Sequence, residues 1–295
     1  MDRLEQMRAL AAVVANRSFT AAAARLGLTP QAVSKAVKAL EEDLGARLLN
    51  RTTRVVQPTE TGLAFYERAR RLLDDFDELR AAMREEHRAP RGHLRLTAPA
   101  SFGELHLADL TGRFLEAYPE TSIDLHLTDR HVSLIDEGFD LAIRIGALES
   151  SGLIARRLAA APIRLCASPA YLAEAGAPQS PSDIAAHRCV IDANFREGGV
   201  WRFEVEGAPV SVRPPARLSV NSALAVRRLV LAGAGLALCP DYVVKQDLES
   251  GALVSLLEGA VAYDLDVFAV YLESRHLSGK LRAFIDFAAA ELARR

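Results

Sequence analysis

The sequence predicts an α+β protein of several domains: a compact helical unit, one long helix, and two α/β lobes that face a cleft. Three observations lead to this fold class. Helix start and stop signals repeat within residues 18–45, and a heptad pattern runs through residues 60–87. The remaining stretch of about 200 residues alternates between strand and helix patterns, which is typical of α/β lobes.

The first of these stretches predicts two short helices joined by a tight turn. Ser18 can cap the first helix, over residues 19–26. Thr29 is a suitable cap for the second helix, over residues 30–44, and Pro30 fits its first position because a missing N–H costs nothing there. Two short helices joined in this way form a helix-turn-helix.

The outer face of the second helix carries side chains that suit DNA. At a period of 3.6 residues its apolar positions turn inward together: Val33, Val37, Leu40 and Leu44. The outer face then holds Gln31, Ser34, Lys35 and Lys38. Gln and Ser can hydrogen-bond base edges in the major groove, and Lys can meet guanine or phosphate. The alternative is a solvated helix face in a small bundle, which the tight turn and the Thr-Pro start disfavour.

A short hairpin, or wing, is predicted after the second helix. Its strands lie at residues 47–49 and 54–57, on either side of a polar turn. Arg51, Thr53 and Arg54 are at or near the tip and can reach phosphates or a minor groove. For each of these residues taken singly, a surface hairpin with no DNA contact is the alternative.

A long helix is predicted over residues 60–87, with Thr59 as its cap. At 1.5 Å per residue it is roughly 40 Å long, which is more than one small domain can cover. Apolar residues recur at intervals of three and four along one side: Phe65, Ala69, Leu72, Phe76, Leu79 and Met83. We therefore expect the helix to pair with its twin, and such a dimer needs a DNA site with two-fold character.

Composition places the chain among globular proteins, with 50% hydrophobic and 25% charged residues in a length of 295. The net charge is only −2, but residues 1–95 hold 17 basic against 13 acidic side chains, a modest excess that suits nucleic acid. Residues 1–16 lack the apolar core of an export signal, and no run approaches the ~20 apolar residues of a membrane helix. We therefore expect a cytoplasmic protein with no membrane partner.

The cysteines and histidines do not form a recognisable chemical site. Cys166, Cys189 and Cys239 lie far apart, each in an apolar run, so buried reduced thiols are expected; a redox switch through Cys166 and Cys189 is the alternative. The spacing of His126 and His131 is poor for a shared metal. Hydrolase, P-loop and CxxC motifs do not occur in the sequence. We predict no catalytic residue, no metal, no cofactor and no enzymatic activity.

The body of the chain predicts strands and helices in alternation. The strands are predicted at 93–98, 122–127, 141–145, 163–167, 189–192, 218–221, 235–239 and 266–272. The helices are predicted at 102–118, 132–138, 170–175, 223–232, 240–248 and 278–292. This alternation favours a mainly parallel sheet with ligands at the strand ends.

Several short motifs carry a resemblance to one family. In the first part they are Ser18-Phe19-Thr20-Ala21-Ala22-Ala23, Ala32-Val33-Ser34, Leu44-Gly45 and Leu48-Leu49-Asn50-Arg51-Thr52-Thr53-Arg54. In the body they are Phe114-Leu115-Glu116-Ala117-Tyr118-Pro119, Asp140-Leu141-Ala142-Ile143-Arg144 and Gly233-Ala234-Gly235-Leu236-Ala237-Leu238-Cys239-Pro240. Through them the chain resembles LysR-type transcriptional regulators over almost its whole length.

The resemblance implies three parts and a function. The parts are a winged helix-turn-helix DNA-binding domain at 1–59, a dimerisation helix at 60–88 and an effector-binding domain at 89–295, similar to periplasmic binding proteins. Lobe one would comprise about 91–161 and 268–295, and lobe two about 162–267. The implied function is sequence-specific transcriptional regulation in response to a small molecule. The implied partners are double-stranded DNA and further copies of the chain, as a homodimer or homotetramer, with RNA polymerase as another candidate.

The DNA-binding residues that we predict come from the helix starts, the outer helix face and the wing. They are Ser18, Thr29, Pro30, Gln31, Ser34, Lys35, Lys38, Arg51, Thr53 and Arg54. Many family members have Ser-Gln-Pro where this chain has Thr29-Pro30-Gln31, so the exchange can aim Gln31 at a different base.

The family binds its effector between the lobes, near the start of the first helix of lobe one. Here that start lies at Ser101, where a helix N-terminus beside a hydroxyl would suit a small organic anion. The predicted effector-binding residues are Ser101, Phe102, Thr128, Gly146, Asn194, Phe195, Asn221 and Ser222. Helix capping is the alternative for Ser101, Asn221 and Ser222, and core packing for the two phenylalanines. A solute-binding receptor would explain the lobes but not residues 1–88.

Overall fold

A computed structural model describes residues 1–51, 56–82, 89–146, 153–195, 199–263, 265–272 and 277–294. The polypeptide divides into two compact units, Met1–Arg88 and Ala89–Arg295. Within the described residues, helices long and apolar enough to cross a membrane are absent.

The first unit contains four helices and a small hairpin. Its elements are α1 (Arg3–Asn16), α2 (Phe19–Leu26), α3 (Pro30–Leu44), β1 (Leu49–Arg51), β2 (Val56–Pro58) and α4 (Glu60–Ala82). The helices predicted at 19–26 and 30–44 are confirmed, and each ends at a glycine with left-handed backbone, Gly27 or Gly45. The antiparallel hairpin is also present, with both strands one or two residues later than predicted.

The core of the first unit explains why α2 is rich in alanine. Ala22 and Ala23 are buried against the apolar residues of α1 and α3, and their small side chains allow the helices to approach closely. Val33, Val37 and Leu40 are buried as predicted. The prediction that Leu44 is also buried is wrong, because 41% of this residue is exposed at the end of α3.

The start of α4 is fixed to the residue that precedes the hairpin. The backbone N–H of Thr59 donates to the carbonyl oxygen of Leu48 at 2.9 Å, and the hydroxyl of Thr59 accepts from the N–H of Gly62 at 2.9 Å. A Cβ atom on Gly62 would lie 1.8 Å from the Leu48 carbonyl oxygen. Only glycine therefore allows α4 to approach the hairpin this closely.

The apolar residues of α4 that we predicted to form one seam fall into two groups with different surroundings. Phe65 packs against the core of its own unit, and Ala69 is only 5% exposed before any partner is present. Leu72 is 49% exposed and Phe76 is half-buried. The side chain of Leu79, and Met83 as a whole, lie outside the described residues. Of the predicted seam residues, Leu72 and Phe76 therefore keep apolar surface outside the core of their own unit.

The second unit contains the remaining elements. Its strands are β3 (Gly92–Ala98), β4 (Thr121–Leu127), β5 (Leu141–Ile145), β6 (Leu153–Ala160), β7 (Ile163–Ala167), β8 (Cys189–Asp192), β9 (Trp201–Val205), β10 (Ala208–Val212), β11 (Ala216–Val220), β12 (Ala237–Pro240), β13 (Val254–Leu256) and β14 (Asp266–Leu272). Its helices are α5 (Ala100–Phe102), α6 (Ala108–Ala117), α7 (Leu134–Glu137), α8 (Pro169–Ala175), α9 (Ala223–Leu231), α10 (Asp241–Ser250) and α11 (Gly279–Leu292).

Two lobes form from these elements. Lobe one has a five-stranded sheet in the order β4-β3-β5-β14-β6, covered by α6 and α11. In it β3 is parallel to β4 and β5, whereas β14 is antiparallel to β5 and β6. Lobe two, formed by β7 to β13 with α8 to α10, has β7 between two antiparallel neighbours, β12 and β13. Among the described residues, parallel pairing joins β3 to β4 and β5 in lobe one and β8 to β11 in lobe two, so the sheets are mixed rather than mainly parallel as we expected.

The chain passes from α5 into α6 through one π-helical turn, Gly103–Leu107. Residues 100–117 thus form the helix predicted at 102–118, with an interruption that the sequence pattern did not indicate. A Cβ atom on Gly103 would lie 2.1 Å from a methyl carbon of Leu127, so glycine lets this turn lie directly against the end of β4. The π-turn therefore lies beside the strand end that precedes Thr128.

We predict that Gly62→Ala destabilises the first unit by about 2 to 3 kcal/mol, because its new methyl group would overlap a backbone carbonyl that cannot rotate away. Gly112→Ala is the matched control, since the Cβ position in that exposed turn of α6 has nothing within 4 Å. The control should be neutral or slightly stabilising. Differential scanning calorimetry would measure both variants, and equal melting profiles would contradict the close approach of Gly62 to Leu48.

Candidate functional site

The side chains on the outer face of α3 do not pack into the core of the first unit. Gln31, Lys35 and Lys38 are exposed, and Ser34 is half-buried. The Lys38 ammonium lies 3.4 Å from a carboxylate oxygen of Glu42, one turn further along the same helix. An exposed pair of this kind contributes little to stability, so Lys38 can exchange Glu42 for a phosphate at small cost.

Ser18 and Thr29 hold the starts of their helices. The Ser18 hydroxyl accepts from the N–H of Ala21 at 3.3 Å, and the Thr29 hydroxyl accepts from the N–H of Ala32 at 3.2 Å. Each cap contributes about 1 kcal/mol, and each hydroxyl keeps its own proton for a phosphate oxygen. Capping and DNA contact are therefore compatible at both positions, with Pro30 beginning α3.

The hairpin is tied to α3 by Glu41. A single carboxylate oxygen of Glu41 accepts from the backbone N–H groups of Leu48 and Leu49, at 2.9 and 3.1 Å. This fixes β1 relative to the outer face of α3. Of the predicted tip residues, Thr53 and Arg54 lie outside the described residues, as does the side chain of Arg51.

In the second unit, a cavity of about 190 Å³ lies between the two lobes. Four of the eight predicted effector-binding residues line it: Ser101, Thr128, Asn194 and Phe195. The chain also supplies lining residues that we did not predict, chiefly Asp129, Arg144, Asp192 and Tyr242. A cavity lined by both lobes at strand and helix ends is the usual position for a small ligand.

The other four predicted residues have different roles, which corrects the prediction. The Phe102 ring is 2% exposed and packs edge-on against Tyr242, with 5.3 Å between ring centres. The Gly146 N–H donates to the carbonyl oxygen of Asp266, which joins β5 to β14. Ser222 caps α9 by accepting from the N–H of Ala225, and Asn221 is exposed. Their neighbours Ile145 and Ala223 line the cavity instead.

One hydrogen bond joins the lobes across the cavity. The hydroxyl oxygens of Ser101, in lobe one, and Tyr242, in lobe two, lie 3.1 Å apart. Burial raises the pKa of the Tyr242 hydroxyl to about 12, so it remains protonated at neutral pH. Ser101 therefore contacts the opposite lobe in this arrangement. A ligand that forms a hydrogen bond with the Ser101 hydroxyl would compete with Tyr242 for it.

The start of the helix at Ala100 is engaged by the chain itself. A carboxylate oxygen of Asp129, at the end of β4, accepts from the N–H of Ala100 at 3.0 Å. Asp129 therefore occupies part of the position where we expected a ligand carboxylate. Sequence patterns could not indicate this contact, because residues 100 and 129 are brought together by the pairing of β3 with β4.

Asp192, at the end of β8, is the most perturbed acid in the cavity. It is 6% exposed, and its carboxylate accepts from the N–H of Asn194 at 2.9 Å. Burial raises its pKa to about 6; the hydrogen bond from Asn194 opposes this shift, and the charge of Asp129 adds to it. A desolvated carboxylate in a cleft is a frequent sign of a functional site.

The basic side chains of the cavity all belong to lobe one. Arg130 forms a two-pronged ion pair with Glu137, in which one hydrogen bond is 2.8 Å long. Arg144 donates to the carbonyl oxygen of Val132 at 3.2 Å, and His131 is exposed. Arg144 is the last residue of the motif Asp140-Leu141-Ala142-Ile143-Arg144 and lies near the end of β5. Its place near a strand end could have indicated that it lines the cavity. The cavity thus carries both signs of charge.

Cys166, Cys189 and Cys239 are free and buried, as predicted. Cys166 and Cys239 lie together in one fully buried cluster, and Cys189 belongs to another. A hydrogen bond with Cys166, together with burial, raises the pKa of Cys239 well above its ordinary value, and burial raises the pKa of Cys189 to about 12. Thiolates, the reactive form, are disfavoured at both positions. The structure therefore favours the predicted buried thiols over the alternative of a redox switch through Cys166 and Cys189.

Two family models match the chain, and together they span most of it. The model described as "Bacterial regulatory helix-turn-helix protein, lysR family" matches residues 4–63. The model described as "LysR substrate binding domain" matches residues 87–293.

Relatives match over nearly the full length. An HTH-type transcriptional regulator of Xanthomonas campestris pv. campestris is 37% identical over 284 residues, covering 95% of this chain and 83% of the relative. The HTH-type transcriptional regulator CrgA of Neisseria meningitidis serogroup C is 36% identical over 293 residues, covering 98% and 96%. A solved structure of CrgA, titled a LysR-type transcriptional regulator from Neisseria meningitidis, has a TM-score of 0.64 at 33% identity and covers 98% of each chain.

We predict that Asp192→Asn stabilises the second unit at pH 7.5 by about 2 kcal/mol and has little effect near pH 4. In the folded chain the pKa of Asp192 is about 6, above its ordinary value of 3.8. The protonated carboxyl group therefore stabilises the fold fully below pH 4, and this stabilisation is lost as pH rises through 6. Urea unfolding followed by Trp201, the single tryptophan and a buried residue of lobe two, would measure this. An equal difference at both pH values would contradict the burial of an ionised Asp192.

Proposed function

The chain belongs to the LysR family of transcriptional regulators, with a helix-turn-helix DNA-binding domain and an effector-binding domain, and we propose which of its residues carry out each role. The observation that supports the proposal best is the cavity between the lobes of the second unit, lined from both sides and crossed by the Ser101–Tyr242 hydrogen bond. A ligand there would contact both lobes at once.

For DNA binding we propose that α3 enters the major groove. Gln31, Ser34 and Lys35 would face base edges, and Lys38 would meet a phosphate or guanine. Their exposure on one face of α3, with Ser34 half-buried at its edge, supports this assignment. Ser18, Thr29 and Pro30 would position the two helix starts near the backbone, and Arg51, Thr53 and Arg54 would supply the wing contacts.

We further propose that the chain acts as a homodimer, or as a tetramer of two such dimers. The exposed Leu72, beside Phe76 on the same side of α4, would begin the contact between twin helices. Burying an exposed leucine of a long helix against a second copy removes apolar surface from water, which favours association. Two copies of α3 held in this way would require a DNA site with two-fold character.

For the effector we propose a small organic anion in the cavity, with its negative group near Arg144 rather than at the start of α5. Asp129 already accepts from the N–H of Ala100, whereas Arg144 is a basic residue among those that line the cavity. Guanidinium and carboxylate form strong, directional hydrogen bonds. The effector would change lobe closure through its contacts with both sides, and thereby the spacing of the DNA-binding units.

We predict that Lys38→Ala weakens binding to all DNA sequences and lowers the salt slope by about 0.9, the loss of one phosphate contact. Ser34→Ala and Lys35→Ala should in addition relax base preference. Glu42→Gln is the matched control, because it removes the carboxylate beside Lys38 and should strengthen non-specific binding. Footprints at several salt concentrations would measure these effects, and unchanged footprints for all three alanine variants would refute the assignment of α3.

We predict that Arg144→Gln weakens the binding of small carboxylates to the full chain about tenfold or more, because a charge-assisted hydrogen bond is lost. Pentanoate and related acids would serve as probes in calorimetry. Arg228→Gln, on an exposed position of α9, is the matched control and should bind like the original chain. Equal affinity in both variants would place the anion elsewhere.

A further inference from the structure

Two carboxylates from opposite lobes line the same cavity. Asp129 follows β4 in lobe one, and Asp192 ends β8 in lobe two. Both side chains line this cavity, and the charge of Asp129 adds to the effect of burial on the pKa of Asp192. The lobes therefore present like charges to each other across the cavity.

Each carboxylate is held in place by the backbone through one oxygen. The Oδ1 atom of Asp129 accepts from the N–H of Ala100, and the Oδ1 atom of Asp192 accepts from the N–H of Asn194. Among the described residues, no donor reaches the second oxygen of either carboxylate. Asp192 as a whole residue is more than nine-tenths buried, and it lines the cavity.

The cations of the cavity do not neutralise this pair. Arg130 is bound to Glu137 through both of its terminal nitrogens. Arg144 donates to the Val132 carbonyl oxygen, and its charge also acts on Glu137. Within the described part of the chain, no ion pair joins Arg130, Arg144 or His131 to Asp129 or Asp192.

We propose that the effector is a small zwitterion whose protonated amine lies between Asp129 and Asp192 while its carboxylate faces Arg144. This inference rests on the proposed function, and it adds the chemical class of the second ligand group. An ammonium group has three donors and one positive charge, which suits two fixed carboxylates with open oxygens. The volume of about 190 Å³ somewhat exceeds an apolar cavity of ~150 Å³ that holds benzene, so the molecule is small.

The position of the pair also gives the amine a role in lobe closure. Without a cation, closure brings two negative charges together and is opposed by their repulsion. With an ammonium group between them, the same approach becomes attractive. The amine would thus favour the closed arrangement of the lobes, and the carboxylate would fix the orientation of the ligand at Arg144.

The test is a binding panel measured by calorimetry on the purified full chain at pH 7.5. The probes are ω-amino carboxylates of about three to six carbons, whose size suits the cavity. Each is compared with the carboxylate that lacks the amine and with the amine that lacks the carboxylate. We expect the best amino acid to bind at least about tenfold tighter than its matched carboxylate, the contribution of one charge-assisted contact.

Variants then locate the amine. Asp192→Asn should abolish the preference for the amino acid over its matched carboxylate, because the carboxylate that would hold the amine is lost. Asp129→Asn, at an exposed position, should reduce the same preference and tests the lobe-one side of the pair independently. Asp109→Asn, an exposed acid at the start of α6, is the matched control and should keep the full preference.

The outcomes separate this inference from the proposed function. If plain carboxylates bind as well as amino acids and Arg144→Gln weakens both, the cavity binds anions and the zwitterion inference is overturned. If the preference survives in both Asp129→Asn and Asp192→Asn, the amine lies elsewhere and the inference is again overturned. If no probe binds, or if Arg144→Gln has no effect on any probe, the proposed cavity fails together with the inference.

Discussion

The effector-binding unit depends on the place where its chain crosses between the lobes. The N–H of Ala161, on the way out of lobe one, donates to the carbonyl oxygen of Leu265, on the way back, at 2.7 Å. From Leu265 the chain enters β14, which is bonded to β5 on one side and to β6 on the other. The sheet of lobe one is therefore incomplete until the chain has passed through lobe two. Leu265 also lines the cavity, so the crossing and the ligand site are adjacent.

The DNA-binding unit has a comparable constraint at Leu48. Its N–H donates to Glu41 on α3, and its carbonyl oxygen accepts from Thr59 at the start of α4. Leu48 thus links α3, the hairpin and α4. Because Gly62 leaves no room for a side chain against the same carbonyl, these three elements have a fixed geometry. Twin copies joined along α4 would present α3 in a reproducible orientation for that reason.

Local chemistry in the sequence was enough to predict the elements that begin and end with caps. Ser18 and Thr29 begin α2 and α3 as expected, and glycines end them. The strands β6, β9, β10 and β13 were not predicted, since an exposed strand such as β6 has no apolar alternation to mark it. The heptad pattern of α4 could not show that Phe65 serves the core of its own unit, because both uses require the same apolar spacing.

The cavity was predictable only in part, for a physical reason. Ser101 and Thr128 follow strand ends of lobe one, which the βα pattern places at a ligand site. The role of Asp129 depends on its distance from Ala100, and the perturbation of Asp192 depends on burial by the whole of lobe two. Both are products of contacts between residues far apart in sequence. Motif spacing carries no information about such contacts.

A hydrogen bond and a charge repulsion between the lobes act on closure in opposite directions, and a ligand can change either of them. An effector shifts the balance between lobe arrangements only through contacts that differ among them, so contacts made within one lobe have no effect on closure. The hydrogen bond between Ser101 and Tyr242 favours the present arrangement, whereas the facing charges of Asp129 and Asp192 oppose it. A ligand that only replaces the hydrogen bond would leave the repulsion in place. A ligand that neutralises the charges would remove the repulsion that opposes closure. Such a ligand would therefore have the larger influence on the arrangement of the lobes.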